Sequence, residues 1–261
     1  MDKEIDAIAD KLFAAWRDRY AIDSEPELAA MRDPDRGRAI QGALTCLFVK
    51  AGRRPIGWKL GLTSQPALDL FGADEPMVGV IYADTLLEEG DTLPTGEIVS
   101  PRIEGEMLLE IASVPQPGAS DDVLIASLAS VSAAFEVADS RLLGWPSAIG
   151  GATADNACCG WLMRAPQSLD PAEADFEGTS MVLTRDGETI SEGRASACFG
   201  SVLKVYRWFV ADSYRRGRRL QAGDIILTGA MGPAIPMAGP ATYRLECPGL
   251  GSATLPFGRA A

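Results

Sequence analysis

Apolar side chains recur at helical spacing in three parts of the chain. In the first part, residues 4–19, hydrophobic residues separated by charged ones follow the order Ile5, Ile8, Leu12, Phe13 and Trp16. The second part, residues 34–50, has a similar periodicity and is followed by Gly52, a residue type that commonly ends helices. The third part is residues 200–217. Each pattern predicts an amphipathic helix, and the first two form a helical N-terminal segment, residues 1–54.

From residue 55 onward, the pattern changes to short apolar runs that Gly, Pro and Asp interrupt. Such runs predict β-strands, which occupy residues 56–60, 77–83, 98–111, 131–138, 159–164, 180–185, 224–228 and 241–246. Asp186-Gly187 predicts a hairpin turn. Because no long linker separates these elements, we expect one α+β domain over residues 1–261, with the helical segment packed on a β-rich body, residues 55–261.

Charge and hydropathy exclude several classes of protein. The net charge is −12, whereas a nucleic-acid-binding protein needs a basic face. No apolar run approaches the roughly 18–20 residues of a membrane helix. The N-terminal residues 1–6 are charged, where a signal peptide has a basic start followed by an apolar stretch. We therefore expect a cytoplasmic protein without a nucleic-acid or membrane partner.

The chain contains no histidine. This excludes a Ser-His-Asp triad, a Cys-His pair and every metal site that depends on histidine ligands. A metal ion would bind mostly to oxygen, which favours Mg²⁺, Mn²⁺ or Ca²⁺. The five cysteines are odd in number and include one adjacent pair, so they indicate neither a disulfide framework nor a zinc site.

Acidic residues interrupt two of the predicted strands. Because alternate residues of a strand share a face, Glu104 and Glu106 project to the same side of strand 98–111. Two interpretations of this pair stay open: a metal site, or solvated residues on the exposed face of an edge strand. Glu110 has the same parity and fits the solvated interpretation better. Glu136 lies inside an apolar run, where a carboxylate needs a partner.

Six stretches of the chain resemble the hydratase/decarboxylase branch of the fumarylacetoacetate hydrolase superfamily. They follow one another in the order of that family and comprise residues 57–64, 79–84, 101–106, 135–141, 154–160 and 223–229. Members of the branch include 2-keto-4-pentenoate hydratase and 4-oxalocrotonate decarboxylase. The resemblance implies a mixed β-roll fold, a homo-oligomer and a role in the catabolism of aromatic compounds.

The resemblance also assigns roles to individual residues. It implies that Glu104, Glu106 and Glu136 ligate Mg²⁺ or Mn²⁺, and that Lys59 and Asp84 handle protons. The residues that it implies for the walls of the substrate pocket are Thr63, Ser64, Thr228 and Gly229. Without the resemblance, Lys59 would be interpreted as a surface lysine and Asp84 as a turn residue.

The activity that the resemblance implies is metal-dependent hydration of 2-hydroxy-2,4-dienoates, of the 2-oxopent-4-enoate type, to 4-hydroxy-2-oxo acids. The substrate would be a small unsaturated 2-keto acid. Two alternatives stay open: a decarboxylase of 2-oxo-3-enedioates of the 4-oxalocrotonate type, and a non-catalytic partner subunit of such an enzyme. A complex with another enzyme of the pathway is a further expectation. The carbon–carbon hydrolases of the superfamily use a His-Glu dyad, which a chain without histidine cannot form.

Overall fold

The computed structural model describes residues 2–23 and 25–258. In this part of the chain, the α-helices are α1 (Lys3–Asp18), α2 (Pro26–Ala29), α3 (Pro34–Lys50), α4 (Gln65–Phe71), α5 (Asp121–Ala126), α6 (Ile149–Ala154) and α7 (Val202–Arg215). The strands are β1 (Pro55–Gly61), β2 (Met77–Tyr82), β3 (Leu86–Leu87), β4 (Leu93–Pro94), β5 (Pro101–Ile111), β6 (Leu128–Asp139), β7 (Trp161–Arg164), β8 (Ser180–Arg185), β9 (Glu188–Arg194), β10 (Ile225–Ala230), β11 (Ile235–Pro236), β12 (Ala241–Cys247) and β13 (Gly251–Gly258). The three predicted helices and the eight predicted strands are confirmed, with shifts of a few residues at their ends.

The N-terminal helices begin at side-chain caps and pack together. The Asp2 carboxylate accepts a hydrogen bond from the backbone N–H of Glu4 at the start of α1. The Asp33 carboxylate accepts hydrogen bonds from the backbone N–H groups of Asp35 and Arg36 at the start of α3, where Pro34 occupies the first helical position. The buried faces of α1 and α3 form a hydrophobic cluster with Val80 of β2. The helical segment therefore covers one side of the strand that ends the larger sheet.

The strands form two sheets. The larger sheet curls and has the strand order β2-β1-β10-β5-β6-β7-β3, with β11 paired to β5. The smaller sheet has the order β4-β13-β12-β8-β9. Most neighbouring strands are antiparallel, but β1 with β10, β3 with β7 and β4 with β13 are parallel pairs. The expected α+β class with mixed sheets is confirmed.

Strands β5 and β6 are the longest in the described residues and lie in the interior of the larger sheet. Odd-numbered residues of β5 face a core cluster that also contains side chains of the smaller sheet and of α7. Even-numbered residues face the opposite side, where Glu106 and Leu108 are buried and Glu104 is half-buried. Because β5 is covered on both faces, it is not the edge strand that the solvated interpretation of its glutamates requires.

Helix α6 and strand β13 were not predicted, because their sequences lack the usual pattern of a helix or strand. All six residues of α6 are buried, so this helix has no polar face to mark its period. A Cβ atom on Gly151 would come within 2.4 Å of the carbonyl oxygen of Leu28, which explains why glycine stands there. Strand β13 contains Pro256, a residue that counts against a strand in a sequence pattern.

No helix among the described residues is both long enough and apolar enough to cross a membrane.

Candidate metal centre and active site

Strand register brings the three glutamates together. Glu104 of β5 lies directly opposite Glu136 of β6, and Glu106 lies opposite Ala134. Directly opposed residues of antiparallel strands have Cβ atoms about 5 Å apart, and the diagonal neighbour on the same face is also within reach. One carboxylate oxygen from each glutamate lies within 4.8 Å of the others. These three side chains can therefore hold a single divalent cation.

Two of these carboxylates are fully buried. Glu106 and Glu136 are both 0% exposed, and Glu104 is half-buried. The backbone N–H of Gly229 donates a hydrogen bond of 2.7 Å to Oε2 of Glu106. Within the described residues, the other oxygen of Glu106 and both oxygens of Glu136 form no hydrogen bond of good geometry, although the Lys59 ammonium lies near Oε1 of Glu136. Buried oxygens without donors are costly, and a bound cation would satisfy them.

Burial and mutual repulsion make these two carboxyl groups weaker acids than ordinary glutamates. Removal from water raises the pKa of Glu106 well above its usual range, and the charges of Glu136 and Glu104 raise it further. Removal from water also raises the pKa of Glu136, against the opposing effect of the Lys59 ammonium. Protons therefore compete with a cation for this pair of side chains.

Lys59 is a buried cation beside the three glutamates. It lies in β1 and is 4% exposed, so the interpretation as a surface lysine is wrong. Its Nζ lies 3.2 Å from Oε1 of Glu136 and donates a hydrogen bond of 3.0 Å to the carbonyl oxygen of Ala157. Burial by itself lowers the pKa of Lys59, but the negative charges of Glu136, Glu104 and Glu106 outweigh that effect and raise it above its usual value. Lys59 is therefore an ammonium at neutral pH.

A cavity of about 320 Å³ opens next to Lys59 and Glu104. Thr63 and Ser64, two of the predicted wall residues, line it. Its apolar lining includes Leu62, Phe71, Met77, Trp145 and Ala157. Leu70 of α4 also lines the cavity and is 76% exposed. The volume suits a small organic acid rather than a large cofactor.

Arg102 is a cavity residue that was absent from the predicted site. Its guanidinium carbon lies 4.2 Å from the centre of the Trp145 ring, and it forms no ion pair within the part of the chain that the structure describes. The indole N–H of Trp145 donates to the backbone carbonyl oxygen of Ser100, which holds the ring under the cation. Arg102 shares strand parity with Glu104 and Glu106, so the alternation in β5 contained the signal that could have identified it. Trp145 had no such signal.

The structure places Thr228 and Gly229 behind the carboxylates rather than on the cavity wall. The Thr228 hydroxyl is buried and donates 3.0 Å to the carbonyl oxygen of Met107. The N–H of Gly229 is occupied by Glu106. A Cβ atom on Gly229 would lie 1.9 Å from the Thr63 hydroxyl oxygen, and its φ of +98° is one that side chains rarely adopt. These two residues position Glu106, and the wall near them is formed by Ala230 and Gly232.

Asp84 lies away from the cavity. Lys59 pairs with Gly79 in β2, and Tyr82 at the end of that strand is already about 10 Å farther along at the usual rise per residue. Asp84 follows in the next turn, and its carboxylate accepts hydrogen bonds of 2.7 and 3.0 Å from Nε of Arg53. The structure thus does not bring Asp84 to the other predicted site residues. Residues 79–84 form one motif in the sequence, but β2 is extended, so the end of the motif lies away from the cavity.

Known proteins are similar to this chain in sequence and in fold. The profile for the C-terminal domain of fumarylacetoacetate (FAA) hydrolase matches residues 62–256. The chain belongs to the fumarylacetoacetate hydrolase family. This membership confirms the resemblance that the six motifs indicated.

Two relatives within the fumarylacetoacetate hydrolase family match nearly the whole chain. It is 31% identical to 2-keto-4-pentenoate hydratase 2 of Dechloromonas aromatica over 253 residues, which cover 97% of each protein. It is 32% identical to 2-keto-4-pentenoate hydratase of Paraburkholderia phymatum over 258 residues, which cover 98% of each.

A solved structure of similar fold confirms the predicted fold. The 4-oxalocrotonate decarboxylase from Pseudomonas putida G7, complexed with magnesium and adipate, superimposes with a TM-score of 0.92 at 22% identity over 98% of each chain. At this level of identity the likeness establishes the fold, and activity has to be argued from the residues of the site.

We predict that Asp84→Asn changes stability more than catalysis. Arg53 is a nearly buried cation stacked on the rings of Trp16, Phe48 and Tyr82, and it would lose its charged acceptor. The expected cost is about 1 kcal/mol in the free energy of unfolding, measured by denaturant titration, with kcat within about twofold of wild type. A large loss of kcat without a change in stability would instead indicate that Asp84 is a catalytic residue.

We also predict that the affinity for Mg²⁺ falls as the pH falls. The cation binds the ionised carboxylates, and the pKa values of Glu106 and Glu136 are raised, so acid protonates them before ordinary surface carboxylates. Lowering the pH from about 8 to about 6 should weaken binding by about tenfold or more. Calorimetry in two buffers of different ionisation enthalpy should show proton release on binding. An affinity independent of pH, without proton release, would contradict this account of the site.

Proposed function

We propose that this chain is a divalent-metal-dependent hydratase of 2-hydroxy-2,4-dienoates, which converts them to 4-hydroxy-2-oxo acids. The observation that carries the proposal is the convergence of three glutamate carboxylates beside a buried lysine that lines a small cavity. The two relatives named 2-keto-4-pentenoate hydratase support the substrate class, since they match the chain over nearly its full length.

The donor set fits Mg²⁺ or Mn²⁺. Both are hard cations that prefer oxygen ligands, and Mg²⁺ usually binds few carboxylates and keeps positions for water or substrate. Glu104, Glu106 and Glu136 would supply the ligands, and the oxygens of Glu106 and Glu136 that lack donors are available for this role. When bound, the cation supplies Lewis-acid chemistry, which withdraws electrons from the 2-oxo acid.

Lys59 supplies a second positive charge beside the same cavity. An ammonium has three N–H donors, and in Lys59 these face the Ala157 carbonyl oxygen, the Glu136 carboxylate and the cavity. We propose that it donates to the 2-oxygen of the substrate, where negative charge develops during the reaction. A fixed donor placed at the atom where charge develops stabilises that charge strongly.

The reaction proceeds in two stages. The 2-hydroxy-2,4-dienoate loses the proton of its 2-hydroxyl and gains one at C5, which gives the conjugated 2-oxo-3-enoate. Water then adds its oxygen to C4 and a proton to C3. Both stages move electrons into or out of the 2-oxygen, so positive charge beside that oxygen would favour both.

Other groups that line the cavity would orient the substrate. Arg102 is a cation without an ionic partner among the described residues, and it can bind a carboxylate. Thr63 and Ser64 add hydroxyl groups, and the apolar lining suits the unsaturated carbon chain. These groups hold the substrate, while the chemistry takes place beside Lys59.

The hydratase proposal stands ahead of the decarboxylase. The decarboxylase from Pseudomonas putida G7 is 22% identical and shows the fold, whereas the hydratases are 31% and 32% identical. Decarboxylation requires the same withdrawal of electrons by the 2-oxo group, so it is tested alongside hydration. The homo-oligomer, the cytoplasmic location and a complex with a pathway enzyme remain predictions.

We predict that wild-type protein depletes 2-hydroxypenta-2,4-dienoate in the presence of Mg²⁺ and that Glu106→Gln does not. The substitution keeps the size of the side chain but removes a charged ligand. Ultraviolet absorbance of the dienoate measures the loss beyond spontaneous ketonisation. Glu110→Gln is the matched control, since Glu110 lies on the same strand with the same parity, is partly exposed and contacts Arg164. Its activity should match wild type.

The outcomes separate the candidate functions. Release of carbon dioxide from 2-oxohex-3-enedioate, without hydration of the dienoate, would identify a decarboxylase. Metal binding without turnover of either compound would favour the non-catalytic partner subunit. Full activity of Glu106→Gln would show that Glu106 is not a required metal ligand.

We predict that Lys59→Met lowers turnover by about a hundredfold, since a fixed charge at the reacting oxygen is lost. Methionine keeps most of the apolar stem, so the affinity for Mg²⁺, measured by calorimetry, should change much less than kcat. Lys50→Met is the control, because Lys50 lies exposed at the end of α3. If metal affinity fell as much as turnover, Lys59 would be part of the structure of the metal site and not a catalytic group.

A further inference from the structure

A turn beside the cavity has an unusual backbone. The consecutive residues Asn156, Ala157 and Cys158 have φ values of 53°, 55° and 54°. This left-handed region is unfavourable for an L-residue with a side chain, and three such residues in a row persist only where the surroundings hold them. The turn is fully buried, so its contacts show what holds it and what it holds in place.

The side chain of Asn156 fixes the turn to β2 at two points. Its Oδ1 accepts a hydrogen bond of 2.8 Å from the N–H of Val80, and its Nδ2 donates one of 2.9 Å to the carbonyl oxygen of Val80. Oδ1 also accepts from Nε2 of Gln41 at 3.2 Å. Asn156 thus pairs with the backbone of β2 in the way that a neighbouring strand would. Asparagine is also among the side chains that tolerate the left-handed region best.

The ends of the turn are held by a buried ion pair. Nε of Arg141 lies 2.6 Å from Oδ1 of Asp155. The same guanidinium donates to the carbonyl oxygen of Asp155 at 2.6 Å and to that of Cys159 at 3.4 Å. Arg141 therefore binds the backbone just before and just after the three left-handed residues. With both ends fixed, Asn156 is the side chain that determines how the middle of the turn lies on β2.

The turn lies against the position in β2 that pairs with Lys59. A Cβ atom on Gly79 would come within 2.5 Å of the carbonyl oxygen of Asn156, so only glycine allows this approach. Gly79 is the register partner of Lys59. The carbonyl oxygen of Ala157 consequently points at the lysine and accepts its hydrogen bond of 3.0 Å.

We propose that Asn156 is a positioning residue for Lys59, acting through the carbonyl oxygen of Ala157. The inference rests on the proposed function, in which the Lys59 ammonium is a catalytic group. Glu136 alone would draw the ammonium toward the metal ligands. The Ala157 carbonyl is a second, neutral acceptor that fixes the ammonium on the cavity side. A misplacement of about 1 Å in a reacting group can reduce a rate as much as a hundredfold, so a fixed acceptor has a large effect.

The test is Asn156→Gly. Glycine adopts the left-handed region without strain, so the substitution removes the two hydrogen bonds to Val80 while leaving the backbone conformation accessible. We expect kcat to fall by about tenfold, with KM and the affinity for Mg²⁺ within about twofold of wild type. A crystal structure of the variant should show Nζ of Lys59 displaced from the Ala157 carbonyl oxygen.

The matched control is Asp186→Gly. Asp186 is also a left-handed residue, with φ 50°, whose side chain accepts a hydrogen bond from a backbone N–H, that of Thr242 at 2.9 Å. It lies in the hairpin between β8 and β9, in the smaller sheet. Its loss should lower stability but leave kcat per folded molecule unchanged. If both glycine variants lowered kcat equally, Asn156 would have only a structural role.

A milder variant covers the case in which Asn156→Gly does not fold. Gln41→Leu removes one donor to Asn156, together with a hydrogen bond of 2.7 Å to the carbonyl oxygen of Val78 in β2, and leaves the pairing of Asn156 with Val80 intact. A fall in kcat of about twofold to threefold, with KM unchanged, is expected from a looser turn. Unchanged kcat in every folded variant, with Lys59 still bonded to Ala157, overturns the proposal. A wild-type protein inactive on all the dienoates would instead refute the proposed function, and the position of Lys59 in the variant structure would still test the role of Asn156.

Discussion

The repulsion between three carboxylates that β5 and β6 force together is the constraint on which the rest of the site depends. Antiparallel register places Glu104 opposite Glu136 and sets Glu106 two residues farther along. Neither Glu106 nor Glu136 can relieve the repulsion by moving into solvent, because both are fully buried. Only positive charge or protonation makes such an arrangement stable. Lys59 provides one positive charge, and the proposed metal provides the others.

The surrounding fold supplies these counter-charges with little freedom of movement. The parallel pairing of β1 with β10 brings Lys59 to the carboxylates, and the irregular pairing of β10 with β5 directs the N–H of Gly229 at Glu106. The left-handed turn at residues 156–158 adds a neutral acceptor for the ammonium. Backbone strain and buried charge are thus concentrated around one group of atoms, as is typical of active sites, where rigidity serves the chemistry.

The same arrangement explains why one fold accommodates both hydratases and decarboxylases. In the proposed reaction, the glutamates and the lysine would act on the 2-oxo acid group that hydration and decarboxylation share. Arg102 and Trp145 line the same cavity and would contact other parts of the substrate. Fold alone therefore does not define the reaction. In this proposal, cavity side chains such as Arg102 would select the length and the distal groups of the substrate.

From the sequence alone, periodicity identified the main helices and strands, the parity of β5 put Glu104 and Glu106 on one face, and the absence of histidine restricted a metal site mostly to oxygen ligands. The role of Lys59 was implied by the resemblance to the family. The tertiary structure decided what covers that face, and it showed that Glu106 is buried and that Asp84 binds Arg53 instead of joining the cavity. It also revealed the stacking of Arg102 on Trp145 and the left-handed turn that meets Lys59. The physical reason is that alternation along a strand specifies the direction of a side chain, whereas its environment depends on strand pairing and on segments distant in the sequence.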